Sequence, residues 1–270
     1  MADISLTASM RSNLLSLQQT QSLMDTTQER LSTGKKVNSA IDNPSSYYTA
    51  QSLTNRASDL SSLLDSMGQA VQTIQAANEG IEAITEFASQ AKAIANSAND
   101  TSDGASIENY MKQFDEILKQ IDGIAKDSGY KGVNLLDGED QELKVVFNED
   151  RSSSLTIQGV DGSASGLGLT PETDWSTNAG IDAALTKIDS AISSLRSMSS
   201  EFGNNYSVVQ TREEFTENLI NVLEEGSDKL TLADMNEESA NMLALQTRQQ
   251  LAINSLSLAS QAAQSVLKLF

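Results

Sequence analysis

Apolar residues recur along this chain at alternating steps of three and four, the spacing that keeps one stripe of a helix turned towards a partner helix. At the carboxyl end the seam reads Met242, Leu245, Gln249, Ala252, Leu256, Ala259, Ala263, Val266 and Phe270. Ala244, Leu251, Ile253, Leu258 and Leu267 fall outside it. A helix apolar on more than one side needs several neighbours, because one partner cannot cover it. From Met10 the same alternation runs through Leu14, Leu17, Gln21, Met24, Gln28 and Leu31, with Leu15 and Leu23 off the seam. The two ends therefore match. Pattern alone is equally compatible with a terminal helix pair closing an ordinary bundle and with ends that pack against further copies of the chain. Magnitudes favour the second. Ordering about seventy terminal residues costs roughly 1–2 kcal/mol each in backbone entropy. About twenty large apolar side chains return roughly 1.5–3 kcal/mol each, and only when fully buried.

Between these ends the same period predicts three more helices. The first helix, from about Leu6 to Ser32, stops at Gly34, a suitable left-handed cap, with Lys35 and Lys36 near the negative end of the helix dipole. The stretch Val37 to Pro44 then reads as a linker or hinge, with Gly34, Asn38, Asp42 and Pro44 its marker residues, because Asn-Pro turns the chain away from helix. A long helix from about Ser46 to Asn99 carries the seam Leu53, Ala57, Leu60, Leu64, Met67, Val71, Ile74, Asn78 and Ile81. Gly68 and Gly80 each weaken it by about 1 kcal/mol relative to Ala. Asp103 is placed to cap a third helix through Ile107, Met111, Phe114, Leu118, Ile121 and Ala125, ending near Gly129. Leu143–Phe147 and Ser154–Gln158 are β-prone and predict a small hairpin. Ser176 or Thr177 opens a fourth helix whose seam runs from Ile181 to Val209 and beyond, with Gly226 as its stop. Asp234 with Glu237 gives a capping-box-like start to the last helix.

The fold class expected is mainly α, an elongated antiparallel helical bundle or coiled coil with a small β-hairpin region. Its parts would be an inner terminal-helix domain (1–42 and 230–270), a helical rod domain (43–136 and 176–229), and a hairpin and loop part of that rod (137–175).

Composition narrows the function. The formal net charge is −19 over 270 residues, but residues 1–41 carry +1 and residues 239–270 carry +2, leaving −22 for the middle. An acidic centre with near-neutral ends argues against a nucleic-acid partner, which needs a basic face. The longest apolar run of the terminal helix is Met242–Leu245, too short to span a membrane. Cysteine and histidine are both absent, which removes disulfides, thiolate metal sites and the commonest general base. Carboxylates cluster at Asp137/Glu139/Asp140, Glu213/Glu214, Glu224/Glu225 and Glu237/Glu238, but sequence neighbours on a helix point apart and do not converge on a cleft. Gly166-Leu-Gly168 lacks the third glycine and the lysine of a phosphate loop. The expectation is a non-enzyme with no catalytic residue, metal or cofactor. The start, MADISLTAS, lacks the basic residues and apolar block of a cleavable secretory signal, so export would need another route.

Several motifs resemble one family. Glu29-Arg-Leu-Ser-Thr-Gly34, with Val37-Asn-Ser-Ala40 and Asp42-Asn43 after it, is similar to the N-terminal signature of bacterial flagellins. Tyr130-Lys-Gly-Val-Asn-Leu-Leu136 resembles the element that closes their N-terminal conserved region. Ala233-Asp-Met-Asn-Glu-Glu-Ser-Ala240, Gln249-Gln250 and Val266-Leu-Lys-Leu269 resemble their C-terminal region. The likeness covers roughly residues 1–136 and 176–270. It implies a structural subunit that polymerises with other flagellin copies into the extracellular flagellar filament for swimming. It further implies secretion unfolded through the flagellar export machinery with an export chaperone, and contacts with the filament cap and hook-junction proteins. Residues expected at the assembly interface are Leu14, Leu17, Met24, Leu31, Met242, Leu245, Ala252, Leu256, Ala259, Ala263 and Val266. Only about forty residues separate the two conserved halves, so the outer variable domains of longer flagellins look absent, and the chain ends in Phe270 where many members end in Arg. The alternatives are a hook–filament junction protein, which shares the terminal seams, and a secreted coiled-coil adaptor.

Overall fold

A computed structural model describes residues 8–171 and 175–267. Among them, in chain order, are α1 (Ala8–Thr33), α2 (Pro44–Asn99), α3 (Gly104–Asp127), β1 (Glu142–Val146), β2 (Ser154–Gln158), α4 (Asn178–Thr231) and α5 (Met235–Leu267). The fold is mainly α, with one two-stranded antiparallel sheet among the described residues. The expected helix start at Leu6 and the seam position Phe270 lie outside the described residues, as do the side chains of Ala263, Val266 and Leu267.

Local chemistry sets most of the helix ends. Gly34 has φ +72°, and its N–H donates to the Arg30 carbonyl at 2.8 Å, closing α1. The Asn43 side chain accepts from the Ser46 N–H at 3.1 Å, so α2 begins at Pro44, two residues before the start expected at Ser46. Proline fits the first turn because the N–H it lacks has no helical partner there. Asp103 accepts from the Ser106 N–H at 3.0 Å and caps α3. Asp234 accepts from the N–H groups of Asn236 and Glu237 and caps α5.

Gly226 does not stop the fourth helix: α4 runs on to Thr231. A Cβ at Gly226 would stand 3.4 Å from Leu53 Cδ1, so the glycine marks a close approach between α4 and α2. What ends α4 is the segment after α1, whose Lys36 and Val37 N–H groups donate to the Thr231 carbonyl at 2.7 and 3.3 Å. Gly80 is likewise more than a weak point. A side chain there would collide with Ser128 Oγ and come within 2.7 Å of Leu136 Cδ1, so its absence admits the loop that follows α3.

The described chain divides into two compact units: residues up to Asn55 with those from Val222 onward, and Arg56–Asn221. The core of the second unit holds Met67, Ile74, Ile81, Phe114, Ile121, Leu136, Ile157, Trp175, Leu195 and Phe202, all nearly inaccessible. Beside the expected α2 seam lies a second buried row, Ala70, Ala77, Ala88 and Ala95, whose small side chains let neighbouring backbones come close. Asn78, on the seam, accepts from Ser199 Oγ at 2.9 Å. In the hairpin Leu143 stands opposite Ile157 and Val145 opposite Leu155. Two contacts fasten it: Arg56 pairs with Glu149 at 2.7 Å, and the Arg212 guanidinium lies 5.2 Å from the centre of the Phe147 ring.

Candidate assembly surface

The first unit is built on the pairing of α1 with α5. On α5 the half-buried positions are Met242, Leu245, Gln249, Ala252, Leu256 and Ala259, in the frame read from the sequence, and Ser260 beside it. On α1 the frame differs in part. Met10, Leu17, Met24 and Leu31 are on the covered stripe, but the positions alternating with them are Asn13, Thr20 and Thr27 rather than Leu14, Gln21 and Gln28. Thr20 is 2% exposed, and its hydroxyl donates to the Ser16 carbonyl at 2.8 Å, so its burial leaves no donor unsatisfied. Leu14 is left at the edge, 38% exposed.

Polar contacts fix the register of the pair. Gln249 donates through Nε2 to Gln21 Oε1 at 2.7 Å, and Gln21 donates to Asp25 at 2.9 Å. Arg30 pairs with Glu238 at 3.0 Å. Sequence reasoning missed Thr20, Thr27 and this ion pair. The threonines had a signal, since Met10-Asn13-Leu17-Thr20-Met24-Thr27-Leu31 is an equally regular seam, whereas the ion pair joins residues 208 positions apart and had none.

The seam positions named from sequence thus lie mainly where α1 and α5 meet within one chain. A different set faces solvent: Leu15, Leu23, Leu243, Leu251, Ile253 and Leu258, with Leu258 67% exposed. All of them except Leu243 are residues that fell off the sequence seam.

The residues marked as linker are extensively hydrogen bonded. The Gly34 carbonyl accepts from the Ala233 N–H at 2.9 Å, and Lys35 forms an antiparallel bridge with Leu232. Asp42 Oδ2 accepts from the N–H groups of Asn38 and Ser39, both at 2.9 Å. Those backbone donors, Ser39 first and then Asn38, hold the Asp42 carboxyl below the usual carboxylate value.

Among the described residues no group of three or more acidic side chains is arranged to hold a metal ion, and no helix is long and apolar enough to cross a membrane. Family models then decide what this helical surface belongs to. The bacterial flagellin N-terminal helical region matches residues 4–141, and the C-terminal helical region matches residues 185–270. The chain belongs to the flagellin family.

Flagellin FljK of Caulobacter vibrioides is 32% identical over 258 residues, covering 95% of this chain and 94% of that protein. A flagellin of Brucella melitensis is 30% identical over 285 residues, spanning 100% of this chain and 99% of its relative. The crystal structure of Bacillus cereus flagellin aligns with a TM-score of 0.50 at 15% identity, over 56% of this chain and 88% of that one, and shows a shared fold. Between the two conserved regions this flagellin has only residues 142–184, which hold the hairpin and the first turns of α4, so it is a short form without an outer variable domain. As a flagellin it is a structural subunit of the bacterial flagellar filament, the motility polymer made of copies of the flagellin chain.

Proposed function

We propose that growth of this flagellin's filament is driven by covering the apolar faces that α1 and α5 leave bare after pairing with each other. The single observation carrying this reading is that the seam between the two helices is occupied while Leu15, Leu23, Leu243, Leu251, Ile253 and Leu258 still face water. Burying such side chains returns roughly 1.5–3 kcal/mol each when complete, and copies of the same pair can supply the cover. Met242, Leu245, Ala252, Leu256 and Ala259, with Leu17, Met24 and Leu31, would hold the pair that presents this face. Leu14, at its edge, would join the contact between copies, and so would Ala263 and Val266 further along α5. Residues 1–42 and 230–270 would form the filament core. Residues 43–136 and 176–229, with the hairpin part 137–175, would form the more peripheral body, whose acidity keeps free subunits apart.

The same reading has the chain leave the cell unfolded through the flagellar export machinery, escorted by a chaperone that shields the bare helices. In the extracellular filament its ends would meet the cap and the hook-junction proteins. Its role is mechanical, with no catalysis. Hydrogen exchange tests the driving step. Amides of α1 and α5 should exchange faster than those of α3 in the free subunit and gain protection in the filament, and no gain in protection on polymerisation would overturn the reading. Electron microscopy of the purified chain should show micrometre filaments; growth that stops at short assemblies would point to a junction adaptor.

A further inference from the structure

A glycine in the interior of a helix is destabilising relative to alanine, so its presence asks for a packing reason. Three glycines of α2 and α4 have one within their own chain: a Cβ would meet Glu213 at Gly68, Ser128 at Gly80 and Leu53 at Gly226. Gly203 in α4 and Gly123 in α3 have none, since nothing lies within 4 Å of where a Cβ would stand. Gly203 has, in addition, a cavity beside it.

That cavity, of about 210 Å³, opens between α2 and α4 within the Arg56–Asn221 unit. Its apolar lining is Ile74, Phe202 and Tyr206, and the missing side chain of Gly203 keeps it open. Of its polar residues, Asn78 is already engaged by Ser199 Oγ, while Gln75 and Glu79 are exposed at the rim. Most of the surface it offers is apolar. An apolar cavity of roughly 150 Å³ holds one benzene ring, so this one has room for a single aromatic side chain. It is smaller than the roughly 300–1,000 Å³ of a small-molecule pocket.

The described residues of the same unit include one exposed aromatic ring, Phe215 of α4, which is 57% exposed. Twelve residues separate it from Gly203, which turns the helix by about 120° and sets ring and cavity on different sides of α4. Phe215 therefore does not fill the cavity of its own chain. Its helix neighbours at three, four and seven positions are Val208, Thr211, Arg212, Asn218, Leu219 and Val222. Arg212 is the one charge among them, in a chain of net charge −19. It is exposed while its guanidinium lies over the Phe147 ring.

We infer that Phe215 of one flagellin copy inserts into the α2–α4 cavity of a neighbouring copy, where Arg212 beside it meets Glu79 on the rim. The occupant is a second copy because the protein polymerises with itself and because the two patches suit each other. Ring and cavity match in size and apolar character, and the cation and the rim acid match in sign. A face free of acid is also what two strongly acidic subunits need in order to approach. A knob and a socket on different sides of one helix make a head-to-tail contact, the kind that propagates into an open helical polymer instead of closing as a two-fold dimer. The contact lies outside the paired terminal helices and is independent of the driving force proposed for them.

Three experiments on the full chain test it. Phe215→Ser should leave thermal melting of the free subunit unchanged, because the ring is largely bare there, and should raise the critical concentration for filament growth about tenfold or more. Gly203→Leu fills the cavity from within its own chain. It should melt no lower than the parent, because the space is open, and should impair growth by a similar factor. In the third, Asn218→Cys and Gln75→Cys chains, both keeping Phe215, are mixed in equal amounts, grown into filaments and oxidised. The natural chain has no cysteine and Gln75 lines the cavity, so a mixed 218–75 disulfide is expected in filaments and not in the unpolymerised mixture. Parental growth of Phe215→Ser or of Gly203→Leu overturns the inference. So does a 218–75 disulfide no more abundant than the 218–218 product. Tyr48 is the other exposed aromatic among the described residues, and loss of growth in Tyr48→Ser beside parental growth in Phe215→Ser would assign the cavity to it and overturn the inference. If the parent chain builds filaments in these experiments, only this inference falls; if the parent builds none, the filament reading falls with it.

Discussion

Arg30 and Glu238 tie the last turn of α1 to the first turn of α5, with Nη1 3.0 Å from Oε1 and the Glu238 side chain only 10% exposed. Glu238 also sits where the positive end of the α5 dipole favours an acid. Removing the arginine leaves a mostly buried carboxylate without its cation, a loss that is severe for fully buried pairs but reduced here because Arg30 is 38% exposed. Arg30→Ala should therefore destabilise the terminal pair by about 1 kcal/mol, read as faster amide exchange in α1 and α5 and unchanged exchange in α3.

Two leucines on α5 should separate pairing within a chain from contact between chains. Leu256 is half-buried on the seam with α1, whereas Leu258 is 67% exposed. Leu256→Asp should loosen α1 in the free subunit and abolish filament growth. Leu258→Asp should leave the exchange of α1 as in the parent and still block growth. Filaments from Leu258→Asp at the parental critical concentration would count against the bare face as the assembly surface.

Two glycines make opposite predictions. Gly80→Ala drives a methyl group into Ser128 and Leu136 and should cost roughly 1–3 kcal/mol, the usual cost of overpacking. Gly203, inside α4, has open space where a Cβ would go. Gly203→Ala should raise stability by up to about 1 kcal/mol through helix propensity alone. Urea unfolding of both variants beside the parent checks the pair, and equal midpoints would refute the packing role of Gly80.

Asp42 gives a pH signature. Its carboxylate is stabilised in the folded turn by the Ser39 and Asn38 N–H groups, so its folded pKa lies below the ordinary value of 3.8. A depressed carboxylate pKa contributes stability that is present above the unfolded value and lost as pH falls through the folded one. The Asn38–Asp42 turn should thus persist at neutral pH and open only in acid below the ordinary carboxylate range. The amide shifts of Asn38 and Ser39 in an NMR titration should report a midpoint below 3.8, and Asp42→Asn should abolish that titration.

How much of this was legible in the sequence depends on the range over which each choice is made. The caps at Gly34, Asp103 and Asp234 were readable because each is settled by hydrogen bonds to residues two to four positions away. Gly226 was misread for the complementary reason. As local chemistry it reads as a stop, but the approach of Leu53 from α2 makes use of a missing side chain there, and α4 ends only where Lys36 and Val37 reach Thr231. The Arg30–Glu238 pair spans too much chain to leave any trace in spacing.

From its order of residues alone the chain determined that it would be mainly helical with a small hairpin, where most helices begin, and that its two ends carry matching apolar stripes. Such features follow from period and from near neighbours. Tertiary structure alone decided which of two equally regular stripes of α1 is covered, Asn13-Thr20-Thr27 over Leu14-Gln21-Gln28, and therefore which leucines are left to meet another molecule. A stripe shifted by one residue has the same period, and only the partner helix lying against it distinguishes the two.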